Sequence, residues 1–279
     1  MRKIIKILIV LSFILILLLI SGQGCIQKTT SQRILCQATI VKVIDGDTVK
    51  TSNNETIRLL HVNTPEKGEK CYEAAKNRLK ELVENKTVWL ERDVQDKDKY
   101  GRKLRYIFLD YNTDLHNYNS FVNLIMIREG YASLLMLEPN TKYQKVFELA
   151  LNDASQEQGC IWSSKSYFYG CFSIEQFHYD TQDDDCTNAN DEYVVLKNSC
   201  DDINMEGWTI KDSSRKVYTF QKFTSKKGVS FTLHSGSGID NETNLFWNLN
   251  LQCPSIWNND HDSLFLRDAE DKLALYYAY

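Results

Sequence analysis

Three short segments in the first half of the chain carry residue types whose spacing suits one kind of chemistry. Asp45-Gly46-Asp47-Thr48 sets two carboxylates across a glycine turn, where they can point hard oxygen ligands at one spot. Arg58 is followed by Asn63-Thr64-Pro65-Glu66, a cation on a strand and then an amide, a carbonyl-bearing turn and a carboxylate. Asp98-Lys99-Tyr100-Gly101-Arg102 is a turn that delivers an aromatic ring and a second guanidinium. Together these groups meet the demands of phosphodiester hydrolysis. The anion repels a nucleophile, so its charge must be neutralised, and the equatorial charge of a pentacoordinate transition state suits bidentate guanidinium donors. A carboxylate within reach can take the proton of the attacking water, while a divalent cation polarises the phosphoryl oxygen. Taken alone, Asp-Gly-Asp is equally an ordinary hairpin turn.

The elements that must position these residues alternate in hydrophobicity. Cys36 to Val43, Thr48 to Thr51, Thr56 to Leu60, Thr87 to Arg92 and Leu104 to Leu109 read as five short strands. Cys71 to Glu84 places Ala75, Leu79, Leu82 and Val83 at helical spacing; Phe121 to Glu129 ends at Gly130, and Tyr143 to Glu157 ends at Gly159. Three strands, a helix, two strands and two helices give an α+β order, which fits a five-stranded oligonucleotide-binding β-barrel with three helices.

The segments VIDGDTVK, IRLLHVNTPE, YEAAK and DKYGRKLRYIF, in this order, resemble the staphylococcal nuclease (thermonuclease) family from about Ala38 to Trp162. The resemblance implies calcium-dependent endonucleolytic and exonucleolytic cleavage of DNA and RNA that leaves 3'-phosphates. It places the catalytic trio on Arg58, Glu66 and Arg102, with Glu66 as general base and the arginines clamping the phosphate. It places the Ca2+ ligands on Asp47, Asn63 and the Thr64 carbonyl, with Asp45 as an outer or water-mediated ligand and Tyr100 beside the substrate phosphate. Asn63 stands where the family usually has aspartate, so the cradle loses one negative charge and calcium should bind more weakly. The second pocket tyrosine of the family falls near Met136. Cys71 at the start of the first helix and Cys160 near the end of the module are placed to bridge as a staple.

The second half is different in kind. From Ile26 to Gly170 there are 21 Lys/Arg and 19 Asp/Glu, whereas Cys171 to Tyr279 has 9 against 18. The acidic half should not bind nucleic acid by itself. Seven strand-like runs at roughly ten-residue intervals, from Glu192 to Tyr279, argue for an all-β immunoglobulin-like sandwich. The words INMEGWTIKD, FTLHSGSG and SLFLRDAEDKL resemble the lamin tail domain, which implies an accessory binding or scaffolding module with an unknown ligand. Trp208, Phe220, Phe231, Trp247 and Trp257 read as its core, and Asp260-His261-Asp262 as a turn.

The chain has 279 residues, is 43% apolar and carries a net charge of -4, which excludes a collagenous or wholly disordered protein. Ile7 to Ile20 is nearly unbroken apolar sequence behind Arg2, Lys3 and Lys6, an export signal that ends in Ser21-Gly22-Gln23-Gly24-Cys25. It resembles a lipoprotein signal with Cys25 lipidated; an uncleaved N-terminal membrane anchor is the alternative. Either places the remainder outside the cytoplasm. The expected division is a signal over 1–24, a tether over 25–36, the nuclease-like domain over 37–165, a linker over 166–188 and the sandwich over 189–279. With Cys25 lipidated, seven cysteines remain, which allows three bridges and one free thiol. Three Asn-X-Thr triplets, at Asn54, Asn85 and Asn241, match the glycosylation pattern. The expected protein is a monomeric, membrane-anchored, extracytoplasmic nuclease acting on DNA or RNA. The competing readings are a nucleic-acid receptor disabled at Asn63 and an envelope scaffold.

Overall fold

A computed structural model describes residues 27–30, 33–111, 118–156, 159–182, 184–213, 216–259 and 261–279. The expected signal over 1–24 and the lipidation of Cys25 lie outside the described residues. Within the described residues, no helix is long and apolar enough to cross a membrane.

The first module contains β1 (Gln27–Thr30), β2 (Arg33–Val43), β3 (Thr48–Thr51), β4 (Thr56–Leu59), β5 (Val62–Asn63), β6 (Thr87–Glu91), β7 (Lys103–Phe108) and β8 (Ser133–Leu134). Its helices are α1 (Tyr72–Val83), α2 (Val122–Arg128) and α3 (Gln144–Gln156). The sheet runs β1-β2-β3-β4-β7-β6, and β2 pairs with β6 as well, so five strands close into a barrel. The parallel β4–β7 contact is the joint that admits α1 between the third and fourth barrel strands. All five strand readings and all three helix readings of the sequence fall on observed elements. Helix α1 buries Ala75, Leu79, Leu82 and Val83, one stripe at helical spacing.

Two expected boundaries change. The stretch read as a tether pairs as β1 with β2, Gln27 opposite Cys36. The stretch read as a linker contains β9 (Phe172–His178), which lies against β10 (Tyr193–Asn198) with Phe177 opposite Val194. It is further held by the disulfides Cys171–Cys200 and Cys186–Cys253. Polar composition suggested a loop there, but an antiparallel edge strand with one solvated face needs few apolar residues.

The second module continues with β11 (Ile203–Asn204), β12 (Thr209–Lys211), β13 (Val217–Thr219), β14 (Thr224–Ser225), β15 (Ser230–His234), β16 (Asn244–Phe246), β17 (Ser263–Arg267) and β18 (Leu273–Ala278). Sheets β16-β15-β10-β9 and β13-β12-β17-β18 face each other across a core that includes Trp208, Phe220, Phe231, Trp247 and Trp257. The remaining disulfide among the described residues with both partners in view is Cys71–Cys160, and Cys36 is disulfide-bonded as well. No described cysteine is free, so the expected leftover thiol is not found among the described residues.

The modules share a core. In β17, Leu264 and Leu266 point into the sandwich, whereas Phe265 joins the barrel core together with Leu273. Trp162 packs against Phe265 at 5.7 Å and Tyr276 at 4.8 Å between ring centroids. Arg267 donates to the Ile161 carbonyl at 3.1 Å, and Ser166 N donates to the Leu273 carbonyl at 2.8 Å. An antiparallel strand usually leaves one face in water; β17 has both faces covered because the barrel lies on its outer side.

His61, at the turn from β4 to β5, is fully buried against Tyr106 and Phe147, with Nε2 3.0 Å from the Tyr106 hydroxyl. Burial pushes its pKa down to about 4 from the usual 6.5, outweighing the Leu135 carbonyl beside Nδ1. The unfolded chain therefore takes up this proton first as pH falls. His61 favours the native state above pH 6.5, and that advantage is lost between pH 6.5 and 4, by about 3 kcal/mol. Denaturant unfolding measured across this range should show the loss in the parent chain, and His61→Gln should remove that part of the pH dependence.

Candidate active site

The site is built on the β2–β3 turn, the end of β4 and the start of β7. In the turn, Asp45 Oδ1 accepts from the Asp47 N–H at 3.1 Å, the local bond by which aspartates shape such turns. Gly46 allows the next contact. A Cβ there would lie 2.7–2.8 Å from the Thr64 side chain, so glycine lets the acidic turn close onto the Asn63-Thr64-Pro65 turn.

Asp47 is only 7% exposed and is held on both oxygens. Oδ1 accepts from the Thr48 hydroxyl at 2.8 Å; Oδ2 lies 3.1 Å from Arg58 Nη2 and 3.4 Å from the Thr64 hydroxyl. Strand register explains the pairing, because Thr48 is directly opposite Arg58. Arg58 Nη1 donates to the carbonyls of Leu59 at 2.5 Å and Val62 at 2.6 Å. His61, in the left-handed region at φ 62°, turns the chain sharply enough to bring the Val62 carbonyl back to Arg58. Burial lowers the Arg58 pKa, with Asp47 opposing the shift and Arg102 adding to it.

Arg102 arrives from the turn before β7. Asp98 accepts from Arg102 Nε at 2.6 Å, and its other oxygen accepts from the N–H groups of Tyr100 at 3.0 Å and Arg102 at 2.9 Å. Partial burial pushes the Asp98 carboxyl up, but Arg102 and the two N–H groups hold it below the usual carboxylate range. The distal nitrogens of Arg102 reach towards the site, with Nη1 3.4 Å from the Thr48 hydroxyl. Tyr100 is 73% exposed, its ring 5.5 Å from the Arg102 guanidinium carbon. It does not pack in the barrel.

Asp45, Asp47, Thr64, Arg58, Arg102 and Tyr100 are thus drawn to one end of the barrel. Asn63 also lies there, yet its amide Nδ2 donates to the Ser213 carbonyl of the second module at 2.6 Å. The Glu66 backbone N–H donates to Glu69 Oε2 at 2.7 Å, and Glu69 Oε1 lies 2.7 Å from Lys211 Nζ. Burial pushes the Glu69 carboxyl up, but Lys211 and the Glu66 N–H together hold it lower than usual. Thr48 and Asp98 stand in the segments singled out from sequence but were given no role there, and Glu69, Lys211 and Ser213 were not singled out. The Asp98–Arg102 spacing within one turn was a usable signal; the contacts from Lys211 and Ser213, more than 140 residues away, left none.

The donors fit a hard divalent cation: the Asp45 and Asp47 carboxylates, the Asn63 amide oxygen and the Thr64 carbonyl. Burial, and then the neighbouring Asp47 charge, raise the Asp45 pKa to about 6. Among the described residues there is no group of three or more His, Cys, Asp or Glu able to hold a metal, so such a cradle needs the amide and the carbonyl.

Comparison with known proteins identifies the family of each module. The family model "Staphylococcal nuclease homologue" matches residues 56–164, and "Lamin Tail Domain" matches 170–279. The acidic turn at Asp45 and Asp47 lies just ahead of the first matched span. Endonuclease YncB of Bacillus subtilis (strain 168) is 37% identical over 157 residues, 50% of this chain and 71% of its own length. The Thermonuclease of Staphylococcus intermedius is 33% identical over 175 residues, 58% of this chain and 99% of its own. The SPbeta prophage-derived endonuclease YokF of Bacillus subtilis is 36% identical over 153 residues, 49% of each chain. These likenesses support a nuclease, with nucleic acid as substrate.

Removing Arg58 tests the electrostatics of the site directly. Arg58→Met leaves the Asp47 carboxylate buried without its cation, and should cost about 3–5 kcal/mol of stability in denaturant unfolding at neutral pH. A loss below about 1 kcal/mol, typical of an exposed ion pair, would count against the pair as drawn.

Proposed function

We propose, because the chain belongs to the staphylococcal nuclease homologue family, that it is an exported, calcium-dependent nuclease hydrolysing phosphodiester bonds of DNA or RNA. The observation that carries this reading is the pairing of Arg58, anchored on Asp47 and two carbonyls, with the forward-reaching fork of Arg102 at one end of the barrel. Both guanidiniums are held by partners that leave them cationic, so they can neutralise the phosphate and take up equatorial charge as the transition state forms. Glu66 takes the proton of the attacking water and Tyr100 meets the substrate from the exposed rim. Asp47, Asn63 and the Thr64 carbonyl, with Asp45 as an outer ligand, would hold the Ca2+, which would supply polarisation of the phosphoryl oxygen. The products carry 3'-phosphates.

The disulfides support a location outside the cytoplasm, where such bonds persist. There the protein is a monomer tied to the membrane through an uncleaved apolar segment, and the sandwich meets a ligand of its own.

Hydrolysis of single-stranded DNA by the full chain, followed across a calcium titration with chelator as blank, should saturate with calcium and vanish in chelator. Glu66→Gln should lower kcat by about 10²–10⁴-fold, as for loss of a general base, with the far-ultraviolet dichroism unchanged. Arg102→Gly should fall by about 10²–10³-fold. Glu66→Gln turning over like the parent would remove Glu66 as the base. DNA bound but never cut, at any calcium level, would instead favour the binding-only receptor.

A further inference from the structure

Among the described residues, two contacts run from one short arm of the second module to the site. Strand β12 ends at Lys211, and the chain continues through Asp212 to Ser213. Lys211 Nζ lies 2.7 Å from Glu69 Oε1, whose other oxygen accepts the Glu66 N–H at 2.7 Å. The Ser213 carbonyl accepts from the Asn63 amide at 2.6 Å. The stretch from Asn63 to Glu69, which carries Thr64 and Glu66, is therefore gripped at both ends by residues of the sandwich.

The arm is itself fixed. The Ser213 N–H donates to Asp262 Oδ1 at 3.0 Å, and Asp262 is 4% exposed. Lys211 pairs with Phe265 across the sheet, and Phe265 is lodged in the barrel core. Placement of the arm thus follows from burial of an aromatic ring, not from the two polar contacts alone. The chemistry at position 63 fits this arrangement. An amide can donate to a carbonyl oxygen, whereas a carboxylate at that distance would set two acceptors against each other and leave both unsatisfied.

We infer that Lys211 and the main-chain carbonyl of Ser213 are positioning residues of the nuclease site, so that the second module completes the active site of the first. This rests on the nuclease reading above. Lys211 acts through Glu69 on the backbone of Glu66, and Ser213 acts through the Asn63 amide on the turn that carries Thr64. Neither touches the reacting atoms.

The test is made on the full chain with Lys211→Met, the conservative Lys211→Arg, and Lys197→Met as control. Lys197 pairs with Glu175 on the other sheet of the sandwich, away from the site. Two readouts are taken: kcat and KM on single-stranded DNA, and amide hydrogen exchange over residues 63–69 compared with β6. Lys211→Met should lower kcat about 10–100-fold with KM changed less than about 2-fold, the signature of misplaced groups rather than lost binding. Exchange over 63–69 should speed up while β6 stays protected, since an opening confined to one segment leaves the core intact. Lys211→Arg should restore both, and Lys197→Met should change neither. Unchanged exchange in Lys211→Met, or faster exchange with unaltered kcat, overturns the inference. A parent chain that does not cut at all would overturn the nuclease reading, and the exchange data would then show by themselves whether the arm holds the segment.

Discussion

Burying the Asp47 carboxylate is the constraint around which the end of the barrel is organised. A charge at 7% exposure must be paired or neutralised, and here its partner Arg58 is at least as buried. That requirement fixes the β3–β4 register, with Thr48 opposite Arg58, and calls for two main-chain carbonyls to satisfy the rest of the guanidinium. The sharp turn at His61 supplies one of those carbonyls. Gly46 allows Thr64 to approach from the other side. The result is an acidic corner with a cation behind it, while Arg102 and Tyr100 remain at the exposed edge. Preorganisation of this kind lets charge stabilisation act without rearrangement during the reaction.

The same economy joins the two modules. Strand β17 alternates Leu264 and Leu266 into one core with Phe265 into the other, so a five-residue strand serves two interiors. Trp162 closes the first module, yet its ring rests on Phe265 and Tyr276 of the second. Two family likenesses that abut in sequence, one ending at 164 and the next beginning at 170, describe parts that share apolar surface. Relative motion of the modules would have to expose that surface, so a close, lasting junction follows from the hydrophobic cost of parting them.

Much of this was legible because it is local. Alternation marked the barrel strands, helical spacing marked α1 to α3, and the Asp-Gly-Asp, Asn-Thr-Pro-Glu and Asp-Lys-Tyr-Gly-Arg words placed the site residues at turns. The positions of Cys71 at the first helix start and Cys160 at the module's end also made their pairing foreseeable. What escaped depended on distant partners. Phe172–His178 read as linker because its strand character comes from pairing with β10, not from its own composition. Asn63 read only as a metal ligand, since nothing near it in sequence signals the Ser213 carbonyl that its amide nitrogen also meets. Phe265 read as one more sandwich residue, because the run Leu264-Phe265-Leu266 does not say that two different cores receive it.

The Cys71–Cys160 bond divides the site residues in a telling way. Asp47, Arg58 and Glu66 precede Cys71, whereas Arg102 lies in the 89-residue span between the two sulfurs. A protease that nicks the chain within that span therefore produces no free fragment. The severed ends stay covalently joined, and Arg102 remains tethered to the half that carries its partners. Wherever the folded chain meets a protease, this makes a single backbone cut within that span a survivable injury.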